Sequence, residues 1–278
     1  MDLINTKEAL RKLKTIRCFA LDMDGTFYLG DRLLDGALDF YNIMQSRGVS
    51  IVFMTNNSSH DRAYYVEKLQ RMGCNATDEQ IYTSGMAACQ YLRRVYPGKK
   101  VWLLGNAFLR RECLQYGILL TDEDPDVVLV GFDTTLDYEK MTRVCDYIRS
   151  GLPYIATHPD FNCPVENGFI PDIGAIMAFI EASTGRKADV VIGKPNAPIV
   201  DGLMEMTGMQ KEEICICGDR LYTDIATGVR HGLLSVCVLT GEATPEDIAV
   251  SKIRPALVFP RLKDVAVYLE CTEMGRLE

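Results

Sequence analysis

Short apolar runs recur along the chain, each stopped by a polar or glycine-bearing cluster, and most are followed by a stretch with helical spacing. Cys18-Phe19-Ala20-Leu21 lacks that spacing and reads as a buried strand, with Gly25 supplying the turn that stops it. Residues 27–34 carry Gly30-Asp31 at their centre and predict a hairpin-like flap. From Gly36, the positions Leu38, Tyr41, Ile43 and Met44 mark a helix that stops at Arg47-Gly48, a cation followed by a C-terminal glycine. The β-branched and apolar run 49–54 then ends in Thr55-Asn56-Asn57-Ser58-Ser59. Strand, helix and strand in this order make a βαβ unit with a right-handed crossover. A second helix is predicted over about 60–71, closing at Gly73, and Thr77 with Gln80 forms a capping box.

Pro97-Gly98-Lys99-Lys100 is a charged, punctuated break that reads as a domain boundary. A second α/β alternation follows: strand 101–104, helix 107–116, strand 127–130, helix 138–149, strand 153–157, a loop over 158–171, and a helix over 173–183 stopped by Gly185. The first pattern then resumes. Residues 190–192 lead into Gly193-Lys194-Pro195, and 214–217 into Gly218-Asp219-Arg220-Leu221-Tyr222-Thr223-Asp224, before a last strand at 234–239 and short helices. The chain therefore divides into residues 1–97, a middle segment 98–187 large enough for a small domain, and 188–278. Strands alternating with helices in this way predict an α/β protein built on a parallel sheet.

Composition narrows the partners. The 278 residues are 47% hydrophobic and 24% charged, with a formal net charge of −8. No dense basic run is present, which argues against nucleic acid or an anionic membrane surface. No apolar run is long enough to span a bilayer. Residues 6–14 resemble a short amphipathic helix and lack the apolar centre of a signal peptide. The ten cysteines show no paired spacing; Cys215 and Cys217 read as small buried hydrophobes on one strand face. A reduced, cytoplasmic chain is expected, with a homodimer as a possible assembly.

The chemistry sits at the strand ends. Asp22 and Asp24, two apart in an extended stretch, share a face and converge on one small volume. Thr55, Asn56 and Asn57 end the second strand, Lys194 follows another, and Asp219 and Asp224 follow a fourth. In one parallel sheet these clusters meet along its carboxyl edge, where open α/β sheets place their ligands. Four carboxylates gathered in one crevice repel unless a cation sits among them, and an all-oxygen set favours Mg2+ over zinc. Lys194 and the Thr55 hydroxyl then remain as donors for an anionic substrate, for which phosphate is the natural choice.

Asp22-x-Asp24-Gly25-Thr26, Thr55 after a strand, Lys194, and Gly218-Asp219-(x)4-Asp224 resemble the four motifs of the haloacid dehalogenase superfamily of phosphohydrolases. Thr55-Asn56-Asn57-Ser58, Ala156-Thr157-His158-Pro159-Asp160 and Gly193-Lys194-Pro195 are similar to subfamily IIA, the NagD-like and 4-nitrophenyl-phosphatase-like branch. The resemblance covers nearly the whole chain. It implies a Rossmann-like core from 1–97 and 188–278, with an inserted α/β cap at 98–187. It also implies Asp22 as nucleophile and Asp24 as general acid and base. Asp22, the Asp24 backbone carbonyl and Asp219 would hold Mg2+, with Asp224 nearby or just outside the ligand set. Thr55, Asn56, Asn57 and Lys194 would bind the phosphoryl group of a small phosphorylated metabolite. One departure stands out: Asp172 follows Pro171 where the family often has glycine before Gly174.

Competing readings fit less well. A dehalogenase of the superfamily is expected to lack an acid at Asp24, and a phosphorylated ion pump needs membrane spans. Gly193-Lys194-Pro195 lacks the Ser/Thr and spaced glycine of a phosphate-binding Walker loop. Asp122-x-Asp124-x-Asp126 imitates a calcium loop, but Val127 stands at the glycine position, so it reads as a solvated acidic turn. A phosphotransferase with an acceptor other than water, or a metabolite-binding protein with residual phosphatase activity, remain as alternatives. His158, in the cap loop, is a candidate substrate contact, because loop residues over a site often set specificity, with a structural role as the alternative.

Overall fold

Cys18–Leu21 is a strand with every residue buried, and in the computed structural model, which describes residues 5–165 and 168–273, it lies inside a six-stranded sheet. The order across that sheet is Leu257–Phe259, Leu234–Val238, Ile214–Gly218, Cys18–Leu21, Ser50–Thr55 and Ile81–Thr83. Leu21 stands opposite Cys217 on one side and Phe53 on the other, with both pairings parallel. Strands covered on both faces need no polar alternation, which is why these runs are apolar throughout. The fold is a Rossmann-like parallel core with additional helices and a second α/β sheet.

The chain forms two compact units, one of residues 1–54, 66–81 and 204–278, the other of 55–65 and 82–203. In the first, Thr6 caps the helix Lys7–Leu13 by accepting from the Ala9 N–H at 3.0 Å. The expected flap is a real hairpin, Tyr28–Leu29 against Arg32–Leu33, turned by Gly30 at φ +59°. The Thr77–Gln80 capping box is present but heads only a single 3-10 turn, Asp78–Gln80. Cys215 and Cys217 are buried free thiols, as their spacing in a central strand implies. No helix of the described residues is long and apolar enough to cross a membrane.

The second unit carries its own parallel sheet, ordered Val190–Val191, Tyr154–Ala156, Val127–Val130, Lys100–Leu104 and Leu119–Leu120. Trp102, Val128, Val144, Tyr154, Ile173 and Ile180 meet in its core. The helices Tyr138–Arg149 and Ile173–Thr184 start after Asp137 and Asp172, whose carboxylates accept from the Lys140 and Ile173 N–H groups. The expected plain loop over 158–171 is instead a hairpin in part, Asn162–Val165 against Gly168–Pro171.

Glu112, on the helix Ala107–Gln115, is 1% exposed and accepts from the Thr83 hydroxyl at 2.9 Å. Burial pushes its pKa up to about 8 from an ordinary 4.5, with the Thr83 hydrogen bond opposing the rise. The folded protein thus holds this proton across a window in which the unfolded chain has released it, so stability falls as pH rises from about 4.5 to about 8. Glu112→Gln removes that slope and is expected to stabilise the protein at pH 8 by roughly 2–5 kcal/mol, with little gain at pH 5. Urea unfolding of both proteins at the two pH values is the check. Parallel pH profiles would show that Glu112 is ionised in the fold.

Candidate active site

Asp22 extends the central strand by one step, its N–H bonding to the Cys217 carbonyl at 2.8 Å. Asp219 follows the adjacent strand Ile214–Gly218, and Asp224 comes from a single π turn, Leu221–Ile225. Asp22, Asp219 and Asp224 each offer an oxygen, and these oxygens all lie within 4.8 Å of one another. Such closeness requires walls without side chains. A Cβ on Gly25 would sit 2.5 Å from Asp219 Oδ2, and one on Gly218 or Gly241 would overlap Asp224 or Asp219. Gly25 also has φ +81°, a conformation that costs other residues dearly.

The cluster is held from several sides. Asp219 accepts from the Glu242 N–H at 2.8 Å and from the Thr26 hydroxyl at 3.2 Å, and Asp224 from the Arg220 N–H and the Thr223 hydroxyl. Burial, and then the charge of Asp224, push Asp219 up to about 6. Burial alone would drive the Arg220 guanidinium toward neutrality, but Asp22, Asp219 and Asp224 outweigh it and its pKa is raised. An acidic group this crowded, with only oxygen donors, fits a hard divalent cation. Asp24 stands outside the three-carboxylate group. Surrounding protein raises the Asp24 pKa although its outer surface is open; Lys68 and Arg220 oppose that rise. Lys68 also lies 4.1 Å from the centre of the Tyr28 ring. Neither cation stood out in the sequence: Arg220 was visible inside its motif, whereas Lys68 looks like any helix lysine.

The polar residues of the second unit form a cluster of their own. Thr55 Oγ1 accepts from the Asn57 N–H at 3.1 Å and keeps its hydroxyl hydrogen. Asn57 Oδ1 accepts from the N–H and hydroxyl of Ser59, both at 2.8 Å. Lys194 is 2% exposed. Its backbone is gripped by Asn56, whose Oδ1 accepts from the Lys194 N–H at 2.7 Å and whose Nδ2 donates to the Lys194 carbonyl at 3.0 Å. Asn56 Nδ2 also donates to Asp160 Oδ2 at 3.0 Å.

His158 requires a correction. Of its two readings, substrate contact and structural role, the first does not hold: it is 0% exposed, with Nε2 at 2.9 Å from Asp172 Oδ1 and Nδ1 at 3.1 Å from Thr157 Oγ1. A ring engaged at both nitrogens and shut off from solvent is a structural element, not a substrate contact. Asp172, the residue that departs from the family pattern, is the partner that keeps it there.

A model described as haloacid dehalogenase-like hydrolase matches residues 19–119, and one described as HAD-hydrolase-like matches 191–265. An acid sugar phosphatase of Staphylococcus aureus is 33% identical over 259 residues, 93% of this chain and 100% of the relative. The chain belongs to the haloacid dehalogenase-like hydrolases. A 4-nitrophenylphosphatase from Thermotoga maritima superposes with a TM-score of 0.90 at 44% identity, over 93% of this chain and 99% of that one. NagD from E. coli K-12 gives a TM-score of 0.84 at 31% identity, over 90% and 98%. Within the family, this hydrolase falls in the NagD-like, 4-nitrophenyl-phosphatase-like branch. It acts on phosphate esters, with the Asp22–Asp219–Asp224 cluster as the carboxylate centre of such a hydrolase.

Proposed function

We propose that the protein is a Mg2+-dependent phosphatase of small phosphate monoesters, with sugar phosphates as the natural class. The convergence of Asp22, Asp219 and Asp224 within 4.8 Å carries this reading. These three side chains, with the Asp24 carbonyl, would hold the cation, which offsets negative charge between nucleophile and ester. The Asp22 carboxylate attacks phosphorus, the bond to the ester oxygen breaks, and Asp24 gives its proton to the departing alcohol. Water then attacks the aspartyl-phosphate, Asp24 takes up its proton, and inorganic phosphate leaves with Asp22 restored. The raised pKa of Asp24 suits a carboxyl that must carry a proton in the first half and lose it in the second. Thr55 and Lys194 donate to the phosphoryl oxygens. Residues 98–187, the proposed cap, read the rest of the substrate.

Two relatives point to the substrate class: one is described as an acid sugar phosphatase, another as a 4-nitrophenylphosphatase. Chelation with EDTA is expected to abolish phosphate release, Mg2+ to restore it, and Ca2+ to inhibit. Calcium takes more ligands at longer distances and spoils in-line geometry. Full activity in a rigorously chelated sample would overturn the metal requirement. A panel of sugar, glycerol and nucleoside monophosphates tests the substrate class; a clear preference for nucleotides would overturn the sugar assignment.

A further inference from the structure

Asn56 follows Thr55 at a strand end and has the composition of a phosphate ligand, but its carboxamide is already committed. One amide hydrogen goes to the Lys194 carbonyl and the other to Asp160, while the oxygen receives the Lys194 N–H. A primary amide has two hydrogens to give, so none is left for a phosphoryl oxygen. The two bonds to Lys194 copy the pairing of one strand residue with another and fix that single residue in the chain. Asp160 decides which end of the carboxamide is which, because a carboxylate accepts and a flipped amide would present it an oxygen.

The surroundings leave the turn little freedom. A Cβ on Gly193 would lie 2.6 Å from Asn56 Oδ1 and 2.6 Å from the Cβ of His158, so the backbone before Lys194 is wedged between those two residues. The Gly193 N–H donates to the Thr157 carbonyl at 2.8 Å, and the Ser84 hydroxyl donates to the Asn56 carbonyl. His158, held by Asp172, forms the back of the wedge. Sequence positions 56, 158, 160 and 172 thus bear on the residue at 194.

We infer that Asn56 is a positioning residue that acts through Lys194, that Asp160 orients Asn56, and that neither touches substrate by its side chain. The inference rests on Lys194 being the amine that binds the phosphoryl group. Misplacing a binding group by about 1 Å can cost 10²-fold, so loss of the clamp should be felt at phosphate although Asn56 never meets it.

The test is a double-mutant cycle on the Mg2+-loaded protein, with 4-nitrophenyl phosphate as substrate and inorganic phosphate as competitive inhibitor. Lys194→Ala is expected to weaken phosphate inhibition by about 10- to 100-fold, and Asn56→Ala by about 10-fold or more but by no more than Lys194→Ala. The double variant should be no worse than the more damaged single one, because the clamp has nothing left to position. A purely structural Asn56 would lower the melting temperature and leave the inhibition constant in place; that result overturns the inference. Full additivity with Lys194→Ala also overturns it, by giving Asn56 its own contact with phosphate. If Lys194→Ala leaves phosphate inhibition unchanged, the assignment of Lys194 fails first and the inference falls with it. Should Asn56→Ala not fold, the half-buried Asp160→Ala decides on the same criteria, with a 3- to 10-fold effect expected that disappears beside Lys194→Ala.

Discussion

Asp22→Asn is expected to abolish turnover, with loss of at least about 10⁴-fold and no covalent phosphate on the protein. An amide is isosteric with the carboxylate but lacks the anionic oxygen that attacks phosphorus. The same change removes one of the negative charges packed within 4.8 Å around the cluster. In the presence of EDTA the variant should therefore melt no lower than the wild-type protein, since like-charge repulsion in the fold has been relieved. Mg2+ should raise its melting temperature less than it raises that of the wild type, because one ligand has gone. Calorimetry with and without the metal, beside a radiolabelled phosphate assay, tests both halves. A variant that keeps its turnover would remove Asp22 from the nucleophile's role, and one that melts early would leave lost activity ascribable to lost structure.

Asp24→Asn should separate the two halves of the reaction. Attack by Asp22 remains open, but the alcohol loses its proton donor and the incoming water loses its base. General acid–base assistance is worth about 10²–10⁴-fold. A sugar phosphate, whose alkoxide leaves badly, should lose most of that factor in the first step. 4-Nitrophenyl phosphate needs little help to depart, so its first step should survive while hydrolysis of the aspartyl-phosphate stalls. Rapid mixing is expected to give a burst of nitrophenolate approaching one equivalent per chain, then a slow steady state, with phosphate retained on the protein. Equal slowing for both leaving groups and no burst would confine Asp24 to the metal site.

The carboxylate centre was readable in the sequence because its parts are local: an apolar run, then aspartates spaced to share a face. Asp22, Asp219 and Asp224 needed only a parallel sheet to meet, and βαβ alternation predicts one. His158 misled because its fate depends on Asp172, fourteen residues on, and on a fold that turns the ring inward. Loop residues are read as exposed, and nothing in Thr157-His158-Pro159 says otherwise. Asn56 had the right residue type in the right place, and only its partners, 104 and 138 residues away, reveal how its hydrogens are spent. The hairpin at 162–171 was hidden by Pro164 and Pro171 and by strands with no buried face, since proline and the lack of alternation both argue against a strand. The π turn at 221–225 had no signature at all, because its Ile225-to-Arg220 hydrogen bond is a matter of backbone geometry alone.

The strand order has a consequence for synthesis. The strands of the second unit's sheet all lie within residues 100–191, so that sheet closes as soon as its own segment is made. The strand Cys18–Leu21, by contrast, pairs on one side with Ser50–Thr55 and on the other with Ile214–Gly218. At a ribosome's pace of about 5–20 residues per second, that second edge waits on the order of 10–40 s for its partner. Through that interval an apolar strand has an unpaired edge, a template for wrong pairing with any other nascent chain. Asp22, one step beyond that strand, therefore waits through the whole interval for Asp219 and Asp224.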